Sequence, residues 1–185
     1  MNATLTSTLR VYDDTSPSTP LVDTTDRAEI ARHLNAAGVR FEQWEASVPL
    51  AADADQESIL AAYAADVQRL KDECGYTTAD VLRLAKGTPN TAPMRAKFLD
   101  EHSHSEDEVR FFVEGSGAFY LRIQGKVYVT VCTRGDLIGV PAGTTHWFDM
   151  GPDPEFTAIR LFVTPDGWVA NFTGDDIASR FPRYE

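Results

Sequence analysis

Histidine and cysteine are scarce in this chain of 185 residues, which contains four histidines and two cysteines. Cys74 and Cys132 form no CxxC pair, which excludes a disulfide scaffold and a zinc knuckle and predicts two reduced thiols in the core. No apolar run approaches the roughly 20 residues that a membrane helix needs, and the N-terminus lacks the charged start and apolar centre of a signal peptide. These absences predict a cytoplasmic protein.

Basic side chains are also in the minority. The chain has 17 lysines and arginines against 28 aspartates and glutamates, for a net charge of -11, and the acidic residues are spread over its whole length. A chain without a basic arm or stripe has little with which to neutralise phosphates, which argues against binding nucleic acid or an anionic membrane. Since no apolar stripe stands out on this acidic surface, we expect a monomer.

No repeat or low-complexity tract divides the sequence, which predicts a single domain over residues 1–185. Its first portion, residues 1–93, has mostly helical patterns. Apolar residues at helical spacing predict helices over residues 25–38 and 55–73, the first of them opened by a capping box. A third, shorter helix is predicted over residues 78–86, closed by a glycine.

The helical period disappears in residues 94–185. Short runs rich in β-branched and aromatic residues replace it, and turn residues separate these runs at intervals of roughly ten residues, which is typical of a sandwich or barrel. We therefore expect a mainly β fold whose early helices pack on the outside of a barrel. The predicted strands are Arg95–Leu99, Val109–Val113, Ala118–Ile123, Val127–Cys132 and Thr157–Val163.

Two histidines stand two residues apart at the start of an acidic segment. Alternate side chains of a strand point to the same face, so His102 and His104 predict two imidazoles on one face. Two imidazoles and a nearby carboxylate form a mixed site that suits Fe, Mn, Co, Ni or Zn. Glu108 keeps the even spacing and is the preferred carboxylate, Glu106 has the same parity and is the second choice, and Asp107 is expected to face water. These residues alone leave open a solvated hairpin with two surface histidines.

A third histidine follows a turn of proline and glycine. Pro141 and Gly143 fix this turn, which delivers the histidine from rigid backbone. Together, the spacings H-x-H-x3-E-x6-G and G-x5-P-x-G-x2-H resemble the two motifs of the cupin superfamily. The resemblance implies a cupin jelly-roll β-barrel in which three histidines and one glutamate bind one metal. The residues that match these ligands are His102, His104, Glu108 and His146.

A closer resemblance extends over Lys97–Gly115, Val140–Gly151, Gly167–Ala170 and Asp175–Ala178. These stretches are similar to the acireductone dioxygenase family of methionine salvage, which implies cleavage of 1,2-dihydroxy-3-keto-5-methylthiopentene by dioxygen. The implied cofactor is one Fe(II) or Ni(II) per chain. With Fe(II) the implied products are 4-methylthio-2-oxobutanoate and formate, and with Ni(II) they are 3-methylthiopropanoate, formate and carbon monoxide.

The implied ligand set also directs attention to residues that contact substrate. Four protein ligands leave two positions of a six-coordinate metal for the adjacent oxygens of an enediol. Arg110 has the parity of Glu108, so we expect it to act as a catalytic residue that holds the charge of the bound enediolate. A salt bridge between Arg110 and a nearby carboxylate is the structural alternative, and Arg160 is a weaker candidate for the same task.

Three aromatic residues are candidates for an apolar wall that receives the methylthio tail. These are Phe98, Phe148 and Trp168, and a plain core role is the alternative for each. Two other functions are kept as rivals: a different metal-dependent cupin, such as an isomerase or another small-molecule dioxygenase, and a non-enzymatic ligand-binding cupin. Acireductone and dioxygen are the partners that the resemblance implies.

Overall fold

The computed structural model describes residues 5–185. Residues 1–4 lie outside this part, so the signal-peptide prediction falls partly on residues that the structure does not describe. None of the described helices is both long and apolar enough to cross a membrane. The helices are α1 (Arg27–Ala36), α2 (Gln56–Ala62), α3 (Ala64–Cys74), α4 (Thr91–Leu99) and α5 (Ile177–Arg180). The strands are β1 (Thr8–Asp13), β2 (Val22–Thr24), β3 (Arg40–Gln43), β4 (Thr78–Leu84), β5 (His102–Ser103), β6 (Glu108–Ile123), β7 (Lys126–Thr133), β8 (Asp136–Val140), β9 (Thr145–Asp149), β10 (Phe156–Phe162) and β11 (Asn171–Phe172).

Strand β6 is long enough to belong to two sheets. Its first half pairs with β8 and β10, and β3 and β4 extend this first sheet. Its second half pairs with β7 and β9 in a second sheet that also contains β11, β5, β1 and β2. The change of partner occurs at Gly115, where φ is 67° and a Cβ would collide with the Glu155 carbonyl group. The result is the jelly-roll-like, mainly β arrangement that the sequence predicts.

Alternation along β6 sorts the apolar residues into three layers. Phe112 and Phe119 lie in the core between the two sheets, together with residues of α1. Phe111 faces the other way and packs with α2 and α3, whereas Tyr120 packs with α5 on the outer side of the second sheet. Burial of a phenylalanine side chain contributes about 1.5–3 kcal/mol, so these layers hold the barrel and its covering helices together.

The helix predicted over residues 78–86 is wrong, because this segment contains strand β4. It pairs antiparallel with β10 along its whole length. Ala79 and Val81 pack with the α2 and α3 side of the sheet, whereas Leu82 and Leu84 pack in the core between the sheets. Since both faces of β4 are packed, polar residues do not mark every second position, and the period of two is concealed.

The strand predicted at Arg95–Leu99 is also wrong, because these residues end helix α4. Met94 and Phe98 lie one turn apart on α4 and pack on the core between the sheets. The helix predicted over residues 55–73 is two helices, α2 and α3, which meet at Tyr63.

The N-terminal portion is predicted as mostly helical over residues 1–93, but most of residues 5–93 lie outside helices, and this part supplies strands β1 to β4 to the two sheets. The first predicted helix is confirmed as α1, and its cap is the Asp26 carboxylate, which accepts the Glu29 backbone N–H at 2.9 Å. Both cysteines are free. The predicted core thiol is right for Cys132, which is buried, and wrong for Cys74, which is exposed.

Candidate metal centre

Three of the four histidines lie together. His102 in β5 is paired with His146 in β9, and His104 follows directly after β5. Their ring centroids are 4.6 to 5.2 Å apart, and one nitrogen of each ring lies within 4.8 Å of the others. All three side chains are buried. The structure thus brings together the three histidines of the two sequence motifs in a group that can bind a metal ion.

A backbone carbonyl group orients each of these imidazoles through its Nδ1 atom. A carbonyl oxygen can only accept a hydrogen bond, so Nδ1 carries the hydrogen in each ring and Nε2 keeps its lone pair. This is the arrangement in which a histidine binds metal through Nε2. The pairs are His102 with Asp100 (2.7 Å), His146 with Thr144 (2.8 Å) and His104 with Val169 (2.9 Å).

Glu108, at the start of β6, adds a carboxylate to the group. Its Oε2 atom lies 2.9 Å from Nε2 of His146 and 3.3 Å from Nε2 of His104. When both rings are neutral, with the hydrogen on Nδ1, these three atoms are all acceptors, and a bound divalent cation would accept an electron pair from each of them. Three imidazole nitrogens and one carboxylate oxygen therefore fit a transition metal of the kind that prefers mixed N and O ligands.

The electrostatic surroundings of the group affect its members differently. Burial and the neighbouring His146 lower the pKa of His102 to about 4, so this ring is neutral near pH 7. Burial raises the pKa of Glu108, but Arg110 and the contacting histidines outweigh it and hold that pKa well below the usual range. For His104, burial opposes the charged form, yet contact with Glu108 outweighs it and raises the pKa. A neutral His102 and an ionised Glu108 are the forms that bind metal.

The other two carboxylates of the acidic segment have different partners. Glu106 accepts two backbone N–H groups of the loop after β10 at 3.0 Å, and also the hydroxyl group of Thr164. Asp107 is exposed, as predicted, and accepts the Ala142 N–H at 2.8 Å. Of the two carboxylates with even spacing, the structure therefore places Glu108 beside the histidines and Glu106 on a loop.

Arg110 lies next to this group and is 3% exposed. Its Nη2 atom donates to Oε1 of Glu108 at 2.7 Å, while Nε and Nη1 are buried without a hydrogen-bond partner among the described residues. The guanidinium carbon lies 4.4, 5.0 and 5.8 Å from the ring centroids of Phe148, Phe119 and Phe98. Burial lowers the pKa of Arg110, but a guanidinium keeps its charge in proteins. A buried cation with two unused N–H groups is suited to an anionic ligand.

The predicted apolar wall is only partly assembled. Phe98 and Phe148 pack edge to face with their centroids 6.2 Å apart, beside the Arg110 guanidinium. Trp168 is 54% exposed, and within residues 5–185 it makes no ring contact with either phenylalanine. The backbone that follows it contacts the site instead, since the Val169 carbonyl group orients one of the histidines.

Arg160 lies directly opposite Arg110 in the pairing of β10 with β6. Unlike Arg110, it is held by an ion pair, because Nε and Nη2 bond to the two oxygens of Asp80 at 2.8 and 2.7 Å. Asp80 is a residue near the site that the sequence reasoning missed, because it falls in the segment predicted as a helix. No local signal marks it, because both faces of β4 are packed and the period of two is concealed.

Phe172 is a second neighbour of the site that the sequence reasoning missed. Its ring centroid lies 5.7 Å from that of His102, because β11 pairs with β5. Neither metal-binding motif includes the two residues of β11. Only the pairing of distant strands places this ring beside the site.

Comparison with known proteins finds relatives along almost the whole chain. A family model described as the ARD/ARD' family matches residues 8–170. An acireductone dioxygenase of Parvibaculum lavamentivorans is 62% identical over 177 residues, which cover 96% of each chain. An acireductone dioxygenase of Hahella chejuensis is 59% identical over 179 residues, which cover 97% of this chain and 96% of the relative.

One solved structure supports the same comparison. It is described as acireductone dioxygenase from Bacillus anthracis with cadmium ion in active center, and it matches with a TM-score of 0.79 and 30% sequence identity. The match covers 92% of this chain and all of that chain. This likeness confirms the cupin fold that the motifs predict.

Proposed function

The chain belongs to the ARD/ARD' family, and from this membership we propose that it is an acireductone dioxygenase of methionine salvage that cleaves 1,2-dihydroxy-3-keto-5-methylthiopentene. Support comes from relatives named acireductone dioxygenase and from the cadmium ion in the active centre of the Bacillus anthracis protein. The chain's own site agrees with this function. Three buried imidazoles are oriented through Nδ1, and a buried carboxylate lies among them.

The observation that carries the proposal is the contact between this ligand group and a buried, incompletely bonded arginine. In the proposal His102, His104, Glu108 and His146 hold one divalent metal per chain, Fe(II) or Ni(II). When bound, the metal supplies Lewis-acid binding for the two adjacent oxygens of an enediol. Arg110 contacts Glu108 at 2.7 Å and therefore lies beside any ligand held there.

In the proposed complex Arg110 recognises the negative charge of the enediolate. Its Nε–H and Nη1–H groups, which have no partner among the described residues, donate to the substrate anion while Glu108 keeps the guanidinium oriented. Charge-assisted hydrogen bonds contribute about 1.5–3 kcal/mol each. The surrounding rings of Phe98, Phe119 and Phe148 exclude water, which strengthens this attraction.

The remaining candidate residues take outer positions in the proposal. Phe98 and Phe148 present apolar surface to the methylthio tail, and Trp168 contacts the tail only at the solvent edge of the pocket. Arg160 lies one strand away from Arg110, and its ion pair with Asp80 offsets its positive charge.

The identity of the bound metal selects the products in this proposal. With Fe(II) we expect 4-methylthio-2-oxobutanoate and formate, and with Ni(II) we expect 3-methylthiopropanoate, formate and carbon monoxide. Intrinsic affinity rises from Fe(II) to Ni(II), so the metal found after purification reflects availability as well as preference.

Product analysis at defined metal loading tests the proposal. The protein is stripped with a chelator, reloaded without oxygen with one equivalent of Fe(II) or Ni(II), and mixed with the enediol and dioxygen after its metal content is measured. Loss of enediol absorbance, NMR of the organic acids and gas analysis of carbon monoxide give the products. An analogue without the thioether should show a higher KM. Failure of both loaded forms to consume the enediol would refute the proposed function.

The proposal also includes a monomeric cytoplasmic enzyme that acts on acireductone and dioxygen and binds neither nucleic acid nor membranes. The spread of acidic charge over the sequence supports this, because it offers no basic surface to nucleic acid or membranes. Light scattering coupled to gel filtration would test the oligomeric state, and a stable dimer at low protein concentration would contradict it.

A further inference from the structure

Helix α4 brings Phe98 beside Arg110, yet the sequence of this helix gives it little stability of its own. The helix has nine residues, none of them fully buried, and Asn90 at its N-terminus makes no side-chain capping bond. Isolated helices shorter than about 12–15 residues are marginal in water. The position of Phe98 therefore depends on how α4 is attached to the barrel.

A polar junction between Arg95 and Asp149 attaches α4 to β9. The Nε and Nη2 atoms of Arg95 donate to the two carboxylate oxygens of Asp149 at 2.7 and 3.0 Å. Asp149 is 0% exposed, and its oxygens also accept the N–H groups of Gly151 at 2.9 Å and Tyr184 at 3.1 Å. The junction is thus neutral and its carboxylate fully bonded, the condition under which a buried ion pair is tolerated.

The C-terminal segment, residues 182–185, lies against this junction and bonds to both of its members through Tyr184. Nη2 of Arg95 also donates to the Tyr184 carbonyl oxygen at 3.1 Å. The Tyr184 hydroxyl group lies 2.7 Å from the hydroxyl group of Ser116, and the Tyr120 hydroxyl group donates to the Pro182 carbonyl oxygen at 2.6 Å. One residue of the C-terminal segment therefore contacts both members of the ion pair.

Each side of the junction carries one of the rings that lie beside Arg110. Phe98 lies about one turn after Arg95 on α4, and Phe148 directly precedes Asp149 on β9. The two rings are in edge-to-face contact, with centroids 6.2 Å apart. They lie 5.8 and 4.4 Å from the guanidinium carbon of Arg110. A displacement of α4 would therefore move a ring that shields Arg110 from water.

We propose that the Arg95–Asp149 junction, closed by Tyr184, is a positioning device that sets the Phe98 ring beside Arg110 and so sets the affinity for the anionic substrate. This inference rests on the proposed function, which supplies the enediolate. Arg95 touches no substrate and acts through Phe98. A displaced ring admits water to Arg110 and weakens its attraction for the anion. Because the anion is held in the ground state and the transition state alike, the loss appears in KM.

The test compares R95K with the matched control R83K. Arg83 has a similar exposure, 21% against 20% for Arg95, and it also joins a carboxylate, Glu114, to backbone carbonyl oxygens. Lysine keeps the charge but loses the two-point contact. A tenfold change in affinity corresponds to about 1.4 kcal/mol, which is within the contribution of one charge-assisted hydrogen bond, so we expect a KM rise of about tenfold in R95K with kcat within about twofold. Both constants should stay within about twofold in R83K.

A second readout follows the ring itself. The ten phenylalanines are labelled with 4-fluorophenylalanine, and the Phe98 resonance is assigned in the 19F NMR spectrum by its absence in F98L. We expect this resonance to shift in R95K and to stay in place in R83K. A merely structural role of Arg95 would instead lower the active fraction, and therefore kcat, at an unchanged KM and with the Phe98 resonance of the folded protein in place.

A truncated chain that ends at Arg183 keeps the inference testable where R95K does not fold. It preserves the ion pair and removes Tyr184 and Glu185, and with them the bonds of Tyr184 to the junction, so we expect a smaller KM rise of about threefold and a shifted Phe98 resonance. If the folded variants keep an unchanged KM or an unshifted Phe98 resonance, the inference is overturned. The proposed function still stands in that case, provided that the wild type turns over acireductone. A wild type that turns over no acireductone refutes both.

Discussion

Replacement of Arg110 by methionine tests whether this buried cation binds the substrate anion. Methionine keeps an unbranched apolar side chain among the rings of Phe98, Phe119 and Phe148. It removes the guanidinium that donates to Glu108 at 2.7 Å and the two N–H groups that have no other partner among the described residues. We expect turnover of the enediolate to fall while the barrel stays folded.

The size of the loss follows from the unused N–H groups of Arg110. Two charge-assisted hydrogen bonds at the lower end of their range sum to about 3 kcal/mol. Each 1.4 kcal/mol corresponds to about a factor of ten, so kcat/KM should fall about 100-fold. The metal-free variant should also lose stability, because the buried Glu108 carboxylate loses its only arginine contact. Bound metal should restore part of that stability.

Arg160 provides the matched control. It lies opposite Arg110 in the strand pairing, but Asp80 already bonds its Nε and Nη2 atoms at 2.8 and 2.7 Å. We therefore expect R160M to change kcat/KM by less than about threefold. Steady-state kinetics on samples of known metal content measure both variants. The reasoning is refuted if R110M keeps more than about a third of wild-type kcat/KM, or if R160M loses as much as R110M.

Three further predictions concern metal binding, pH and packing. Glu108→Gln should weaken metal binding by more than about tenfold in competition with a chromogenic chelator, because loss of a group that only hydrogen-bonds to a metal ligand already costs that much. Asp107→Asn, at an exposed neighbouring residue, should leave the affinity for metal unchanged. Equal affinities of the two variants would contradict the assignment of Glu108 as a ligand. Burial raises the pKa of Asp136, so the folded protein binds this proton more tightly than the unfolded chain and loses stability as pH rises from about 4 through the folded pKa. Urea unfolding should show that the wild type loses stability relative to D136N over this pH range. Parallel plots of unfolding free energy against pH for the two proteins would refute the predicted role of Asp136. Gly117→Ala should lower the free energy of unfolding by about 1–3 kcal/mol, because a Cβ at this position would collide with the Phe148 ring. An unchanged midpoint of urea unfolding would contradict this prediction and show that the ring can move away at no cost.

The residues of the candidate metal centre could be predicted from the sequence because strand parity and the cupin resemblance agreed, whereas the local signals alone left a solvated hairpin open. Strand parity relates His102 to His104, and Glu108 to Arg110, over a few residues. A turn of proline and glycine places His146 after a strand. These short-range constraints place neighbouring side chains together, whereas His146 meets His102 through the pairing of β9 with β5, which only the resemblance implied.

The surroundings of the site could not be predicted, because they depend on packing between distant segments. Asp80 reaches Arg160 only because β4 is the strand beside β10, and β4 conceals its period of two by packing on both faces. Phe98 lies on a helix because α4 packs Met94 and Phe98 on the core, although its own sequence also suits a strand. In both segments tertiary contacts override a weak local preference.

The orientation of the three histidines shows the same division within the site itself. His102 and His146 each use the carbonyl oxygen two residues earlier in the chain, so a local backbone group orients each of these two rings. His104 instead depends on Val169, 65 residues away, in the loop after β10. That loop is held by Glu106, which accepts two of its backbone N–H groups at 3.0 Å. Glu106 and Glu108, the two carboxylates with even spacing in one short segment, therefore have different roles. Glu108 lies among the imidazoles, whereas Glu106 holds the loop whose Val169 carbonyl group orients His104.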